Sequence, residues 1–262
     1  MSLLNEMFKI DAYGIIERYW GDYMSRKIEL YLHEHQRNNF KKDITNIKEL
    51  FFERIYPTFL NAEQEAERYQ DTLWNDLMEQ PCGEDDIIDP SVIVESIQEE
   101  GFDKYEILYL MHYRTIGMWI ACMCQVWEQQ LYAFIIQEER INHIRYADSD
   151  KKKGFQFAKD VFEYHNQPFE SMQCWGKLKE LRLLVNVIKH AEGDAEQRLR
   201  KIRPDYFTYD GGIGEIDLLK LYHSTLLEPT IQIKGQDFID YYNAIISFWD
   251  ELPERMISTQ EI

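Results

Sequence analysis

Apolar residues recur at three- and four-residue steps through the middle of this chain. Leu108, Met111, Ile116, Trp119, Ile120, Met123, Trp127, Leu131, Phe134 and Ile135 follow that stride. It matches the turn of an α-helix, about 3.6 residues, and not the two-residue alternation of a strand. One long helix is therefore predicted from Tyr105 to about Ile144. A helix of that length needs other helices to cover it. The 262 residues include only 12 Gly and 7 Pro, too few for a turn-rich sandwich or barrel. The fold class read from the sequence is all-α.

The same reasoning partitions the rest of the chain. Residues 11–80 read as helix nearly throughout, first on the spacing of Tyr19, Tyr23, Ile28 and Leu32. Ile44, Ile47, Leu50, Phe51 and Ile55 continue it more cleanly, and Pro57 marks a break or kink. Another helix is predicted over Asn61–Met78, with Glu63, Glu65, Glu67, Arg68 and Asp71 as its solvated face. The stretch Gln80–Ser91 holds two Pro, one Gly and an acidic cluster, and reads as an exposed internal boundary. Ser91–Glu100 is predicted as a short helix. A polar turn at 148–154 precedes helices over Phe155–Tyr164 and Phe169–His190, with Gly193 placed at the C-terminal stop of the second. Residues 205–235, with Gly211, Gly212 and Gly214, predict an irregular insert or small β-hairpin. Gln236–Leu252 closes the pattern as an amphipathic helix. The expected organisation is a helical region over 1–100 and a helical bundle over 101–262.

Charge narrows the function classes. Lys and Arg number 29 against 47 Asp and Glu, a net charge of -18. That disfavours broad binding to nucleic acid through a basic surface, but leaves room for a small basic site on an acidic body. Hydrophobic residues at 45%, with 14% aromatics, exclude a disordered polymer. Four Cys with no framework spacing argue against a disulfide scaffold and for a reducing, cytoplasmic setting. The longest apolar run, Ile116–Val126, falls well short of the ~20 residues a membrane helix needs. No signal peptide and no membrane association are expected.

One segment carries chemistry. On a helix at about 100° per residue, Leu178, Leu181, Leu184, Val185 and Ile188 share one face, and Leu183 and Val187 lie on the far side. The polar residues Lys179, Arg182, Asn186, Lys189 and His190 fall in one narrow sector. A helix apolar nearly all round is a buried one, so a polar strip along it must be paired or line a cleft. Three of these groups are cations, and His ordinarily titrates close to neutral pH. Asn186 and His190 are four apart, near enough to meet. The plain alternative is a set of structural ion pairs with the abundant acids, together with basic residues suiting the helix C-terminus.

The segment resembles the motif region of HEPN-domain proteins, a superfamily of helical bundles rich in ribonucleases and toxin or abortive-infection components. Many of its members read L-R-x-x-R-N-x-I-x-H-x-x-G. The matching residues are Leu181, Arg182, Asn186, Ile188, His190 and Gly193. Val185 stands where the motif usually has Arg, and Arg182 lies eight residues before His190, about 12 Å along a helix axis. The resemblance covers roughly Tyr105–Leu252, leaving residues 1–100 unassigned. It implies a HEPN-like bundle acting as a homodimer on RNA, in a prokaryotic defence or toxin–antitoxin setting with an antitoxin or defence-system partner protein. It implies metal-independent cleavage without a cofactor. His190 would serve as general base or acid at a ribose 2′-OH. Arg182 or Lys189 would stabilise charge on the phosphate, and Asn186 would orient His190 or the phosphate. Lys179 and the cations Arg198, Arg200, Lys201 and Arg203 would hold the RNA backbone. Two other readings are a HEPN-like module that binds a protein or nucleotide without catalysis, and a structural scaffold whose polar strip is a salt-bridge network.

Other signals are weaker. His33 and His35 are two apart, unlike the HExxH zinc pattern, and read as exposed helix. Cys122 and Cys124 read as core thiols. Gly211–Gly214 lacks the Gly-Lys-Ser/Thr of a phosphate loop and reads as a turn. Lys151–Lys153 read as a solvated loop.

Overall fold

The computed structural model describes residues 16–18, 27–79, 89–146, 154–210 and 214–261. The described chain is mostly helical. It divides into two compact units, each assembled from separate stretches: 1–48, 120–186 and 236–262 form the first, and 49–119 with 187–235 the second. The boundary read at Gln80–Ser91 and the Lys151–Lys153 turn fall largely or wholly outside the described residues.

In the first unit the N-terminal helix reading is corrected at residues 16–18 and 27–31, while Tyr19 and Tyr23 lie outside the described residues. Instead of helix, the chain forms strand β1 (Ile16–Arg18) and strand β2 (Lys27–Tyr31). The reason lies in period: Ile28, Leu30 and Leu32 are all buried two residues apart, so the same apolar residues fit a strand. Helix α1 (Glu34–Leu50) follows.

The central stride belongs to helix α3 (Pro90–Asn142), of which residues 120–142 lie in this unit. Strand β3 (Ile144–Tyr146) follows and pairs antiparallel with β1. Helices α4 (Phe155–Tyr164) and α5 (Trp175–His190) come next. Helix α8 (Gly235–Glu251) is as long as predicted, and it is followed by strand β6 (Arg255–Glu261), which the helical pattern does not show. Strand β6 pairs antiparallel with β2, bringing Leu30 opposite Met256.

Aromatic rings fill the first unit's core. Phe248 packs edge-on to Trp127 at 5.2 Å and to Phe169 at 5.1 Å, and Phe169 meets Phe162 at 5.2 Å. Polar groups fasten the margins. Arg37 donates to the carbonyls of Trp249 and, at 2.7 Å, Leu252, satisfying acceptors that the end of α8 leaves open. Glu138 and Glu139, in the last turns of α3, accept from the backbone amides of Tyr31 (2.9 Å) and Tyr146 (2.7 Å).

His165 is fully buried between Tyr146 and β6. Its Nδ1 lies 3.1 Å from the Met256 carbonyl, which can only accept. Nε2 therefore accepts from the Tyr146 hydroxyl at 2.6 Å. Burial lowers the His165 pKa to about 4, and it pushes Tyr146 well above its ordinary value.

In the second unit, α1 continues through a π-type turn, Phe51–Ile55, into a 3-10 turn at Tyr56–Phe59. The break sits where Pro57 predicts it. Helix α2 (Ala62–Met78) follows. The short helix read at Ser91–Glu100 and the long one from Tyr105 are a single helix, the first part of α3. Gly101 does not interrupt it: a Cβ there would collide with the Gln70 side chain, so the glycine admits a close neighbour. Helix α6 (Asp194–Ile202) is followed by a hairpin of strands β4 (Tyr209–Asp210) and β5 (Glu215–Ile216), and by helix α7 (Leu218–Tyr222). Within Gly211–Gly214 only Gly214 is described, with a left-handed φ of 141°. The irregular stretch after α7 buries Ile231 and Ile233 in this unit's core. Tyr113, also in that core, bonds with Thr230 and Ile231, and burial raises its hydroxyl pKa to about 12.

Candidate functional site

Helix α5 is apolar on two sides for the reason the sequence gives. Leu178, Leu181, Leu184 and Val187 are completely buried, and Leu183, Val185 and Ile188 nearly so. Residues 175–186 belong to the first unit and 187–190 to the second. The polar strip faces solvent along most of its length. Lys179, Asn186, Lys189 and His190 are exposed, and Arg182 is half-buried.

The strip is not uniform. Arg182 Nε donates to Glu128 at 2.6 Å, and its guanidinium lies 3.5 Å from the Phe155 ring centre. It is neutralised and stacked, fastening α5 to α3 and α4. Lys179 lies near Glu170, whose carboxyl is held below its usual pKa first by Lys159 and also, more weakly, by Lys179. The side chains of Asn186, Lys189 and His190 have no hydrogen-bond or ion-pair partner among the described residues. Val185, at the usual motif-Arg position, is 5% exposed and part of the core.

The helix ends directly after His190. Ala191 adopts a left-handed φ of 58°, and its amide bonds to the Val187 carbonyl at 2.8 Å. The stop is thus at Ala191, while Gly193, with φ of 143°, is the residue preceding α6. Thr225 Oγ1 donates to the Ile188 carbonyl at 2.8 Å, satisfying one of the last acceptors of α5. His223 is exposed, with Nδ1 3.1 Å from the Glu192 carboxylate. The loop after α7 thereby meets the chain beside His190. Nothing in the sequence pattern flagged Thr225 or His223, because their roles arise from long-range contact.

The basic run in α6 divides in two. Arg200 is bound by Glu196 and, at 2.6 Å, by Asp217, and its guanidinium lies 4.0 Å from the centre of the Phe207 ring. Arg203 pairs with Asp205 at 2.7 Å and stacks on Tyr206 at 3.7 Å. Arg198 and Lys201 are exposed, and their side chains have no partner among the described residues. They are three apart, so they share one face of α6.

The remaining sequence signals are bland in the structure. His33 and His35 are exposed at the start of α1, where His33 Nδ1 accepts from the His35 amide at 3.0 Å. Cys124 is buried and Cys122 exposed on α3. No helix among the described residues is long and apolar enough to cross a membrane.

No family model, no curated protein and no solved structure matches this chain.

Proposed function

We propose that this chain is a HEPN-like RNA-targeting protein whose reactive group is His190. The observation that carries the reading is the last turn of α5: on a helix whose apolar faces are buried, Lys189 and His190 are exposed and, among the described residues, unpaired, with Asn186 likewise one turn earlier. Polar groups on such a helix are normally consumed by neighbours, as Arg182 is. In this reading His190 takes the proton from a ribose 2′-OH. The 2′-oxygen then bonds to phosphorus, the P–O5′ bond breaks, and the 5′-oxygen leaves with a proton taken from water. Lys189 stabilises the charge gathering on the phosphate, and Asn186 steadies the imidazole or the phosphate. Arg198 and Lys201 hold the RNA backbone. Arg182, Arg200 and Arg203 serve the fold. The working form is a homodimer in a prokaryotic defence or toxin–antitoxin setting.

A second reading has its own support. Val185 is buried and Arg182 is neutralised by Glu128, so the arginine that usually accompanies the histidine is missing. That favours a module that binds RNA, a nucleotide or a protein without cutting. Expression of wild type beside His190→Ala in a bacterial host, with total RNA examined from both, separates the two. RNA fragmentation and growth arrest lost in the variant support cleavage. Arrest without fragmentation in both supports binding alone. Identical growth and intact RNA in both exclude cleavage at this strip.

A further inference from the structure

Helix α2 and residues 90–107 of α3, both in the second unit, run as a pair joined by side-chain contacts. Lys104 bonds to Glu65 at 3.0 Å, and Gln70 reaches the Gln98 carbonyl at 3.4 Å. The pair is poorly covered. Helix α4 buries six of its ten residues, whereas α2, with seventeen, buries Ala66 alone. Large apolar side chains remain in solvent: Trp74 is 38% exposed, Val92 56%, Phe102 59% and Met78 64%. Between the two helices lies a groove of about 610 Å³, lined by Tyr69, Leu73 and Leu77 from one side and Val92, Ile93 and Ile97 from the other. Asp76 and Glu100 line it as well. An apolar groove of this kind between helices marks an interaction site more often than a monomer's ordinary surface.

Charge selects the occupant. Over α2 and residues 90–107 there are ten carboxylates and two cations, Arg68 and Lys104, and Lys104 is already held by Glu65. A second copy laid on this face would set those carboxylates against their own kind, at a cost in free energy. A cationic partner meets complementary charge. We infer that the α2–α3 groove is a docking site for a basic amphipathic helix of a partner protein, its apolar stripe seated on Leu73, Leu77, Ile93 and Ile97 and its Lys or Arg residues facing Asp76 and Glu100. The inference is independent of the RNA reading, since none of these residues belongs to the His190 strip.

The test uses the full chain and a labelled synthetic helix of roughly 18 residues, with Leu at the i, i+3, i+4, i+7 positions and Lys elsewhere. A scrambled isomer of the same composition carries equal charge without the apolar stripe. Anisotropy at about 0.15 M salt is expected to show the patterned peptide binding at least ~10-fold more tightly than its isomer. Val92→Glu and Glu100→Lys, both at exposed positions, are each expected to weaken it severalfold while circular dichroism of the protein stays unchanged. Ser96→Cys carrying an environment-sensitive dye is expected to shift to the blue when the peptide is added. Equal binding of the two isomers, full affinity in Val92→Glu, or no dye response overturns the inference. So does self-association in sedimentation that Val92→Glu abolishes, because the face would then belong to a second copy.

Discussion

His165 is a basic side chain with no access to solvent, and its two ring nitrogens are both spoken for. Met256 requires a proton on Nδ1 and Tyr146 requires a lone pair on Nε2. The neutral ring satisfies both, and a second proton would force the Tyr146 hydroxyl to turn from donor to acceptor and would place a charge inside the core. Burial holds its pKa at about 4, against the opposing pull of the Met256 carbonyl, where an unfolded chain would have about 6.5. The folded state therefore binds fewer protons across that interval. Its contribution is complete above about pH 6.5 and is lost as pH falls toward 4, amounting to about 3 kcal/mol. Urea unfolding at neutral and at mildly acid pH checks this. The wild type is expected to lose stability more steeply than His165→Gln, and parallel losses would show that the carboxylates alone govern the acid limb. Ala191 offers a second residue-scale test. It holds a left-handed backbone that alanine disfavours by roughly 1 kcal/mol. A Cβ-free residue relieves that, so Ala191→Gly is expected to raise the unfolding midpoint, by about 0.5–1 kcal/mol of stability. A lower midpoint would mean that the alanine methyl is in useful contact.

At the scale of elements, α5 is a helix whose two ends do different things. Its first three turns are fastened: Arg182 to Glu128, Lys177 to Glu180 at 3.0 Å, and Tyr241 to Glu180 at 2.9 Å. In its last turn Thr225 holds the Ile188 carbonyl, but the side chains of Lys189 and His190 have no partner among the described residues. Arg182→Ala is expected to destabilise by about 1–2 kcal/mol, from a charge-assisted bond and a lost ring stack on a half-buried group. In the reading proposed above it leaves RNA affinity within about twofold, because Arg182 is internally neutralised. Thermal melts and RNA binding on the same preparations separate the two effects. Loss of affinity without loss of stability would return Arg182 to the site.

What the sequence revealed of this element follows from the same contrast. The wheel placed the apolar faces and the polar sector of α5, because 3.6-residue periodicity is local information. It did not show that Arg182 would find Glu128, fifty-four residues away, or that Lys189 would find no partner among the described residues. The N-terminal strands were missed for a related reason. Ile28 and Leu32 suit a helix by spacing, and only the partner strand β6, 230 residues away at Ser258, makes Leu30 the deciding residue. Pairing across the whole chain leaves little trace in a local pattern.

At the scale of the molecule, the 47 acids against 29 bases set both stability and reach. Like charges outnumber opposite ones, so screening removes more repulsion than attraction. Raising salt from about 0.05 to 0.5 M is expected to increase the unfolding midpoint, and a decrease would show that specific ion pairs outweigh the general excess. The same excess bounds any contact with RNA. Among the described residues of the last turn of α5 and of α6, the cations exposed without a partner are Lys189, Arg198 and Lys201, so in the reading proposed above these side chains can neutralise three phosphates per site. On a single strand that number gives a slope of roughly -2 for log affinity against log salt concentration. A protein that tracks RNA over a wide basic face gives a far steeper one. Measured binding of a short single-stranded RNA at several salt concentrations is expected to return the shallow slope. Lys201→Gln is expected to reduce its magnitude by about 0.7. A steep slope would place the RNA on cations other than these three. A slope near zero would mean that phosphate is not what the His190 turn recognises, and would move the search to ligands held by hydrogen bonds to Asn186 and His190 instead.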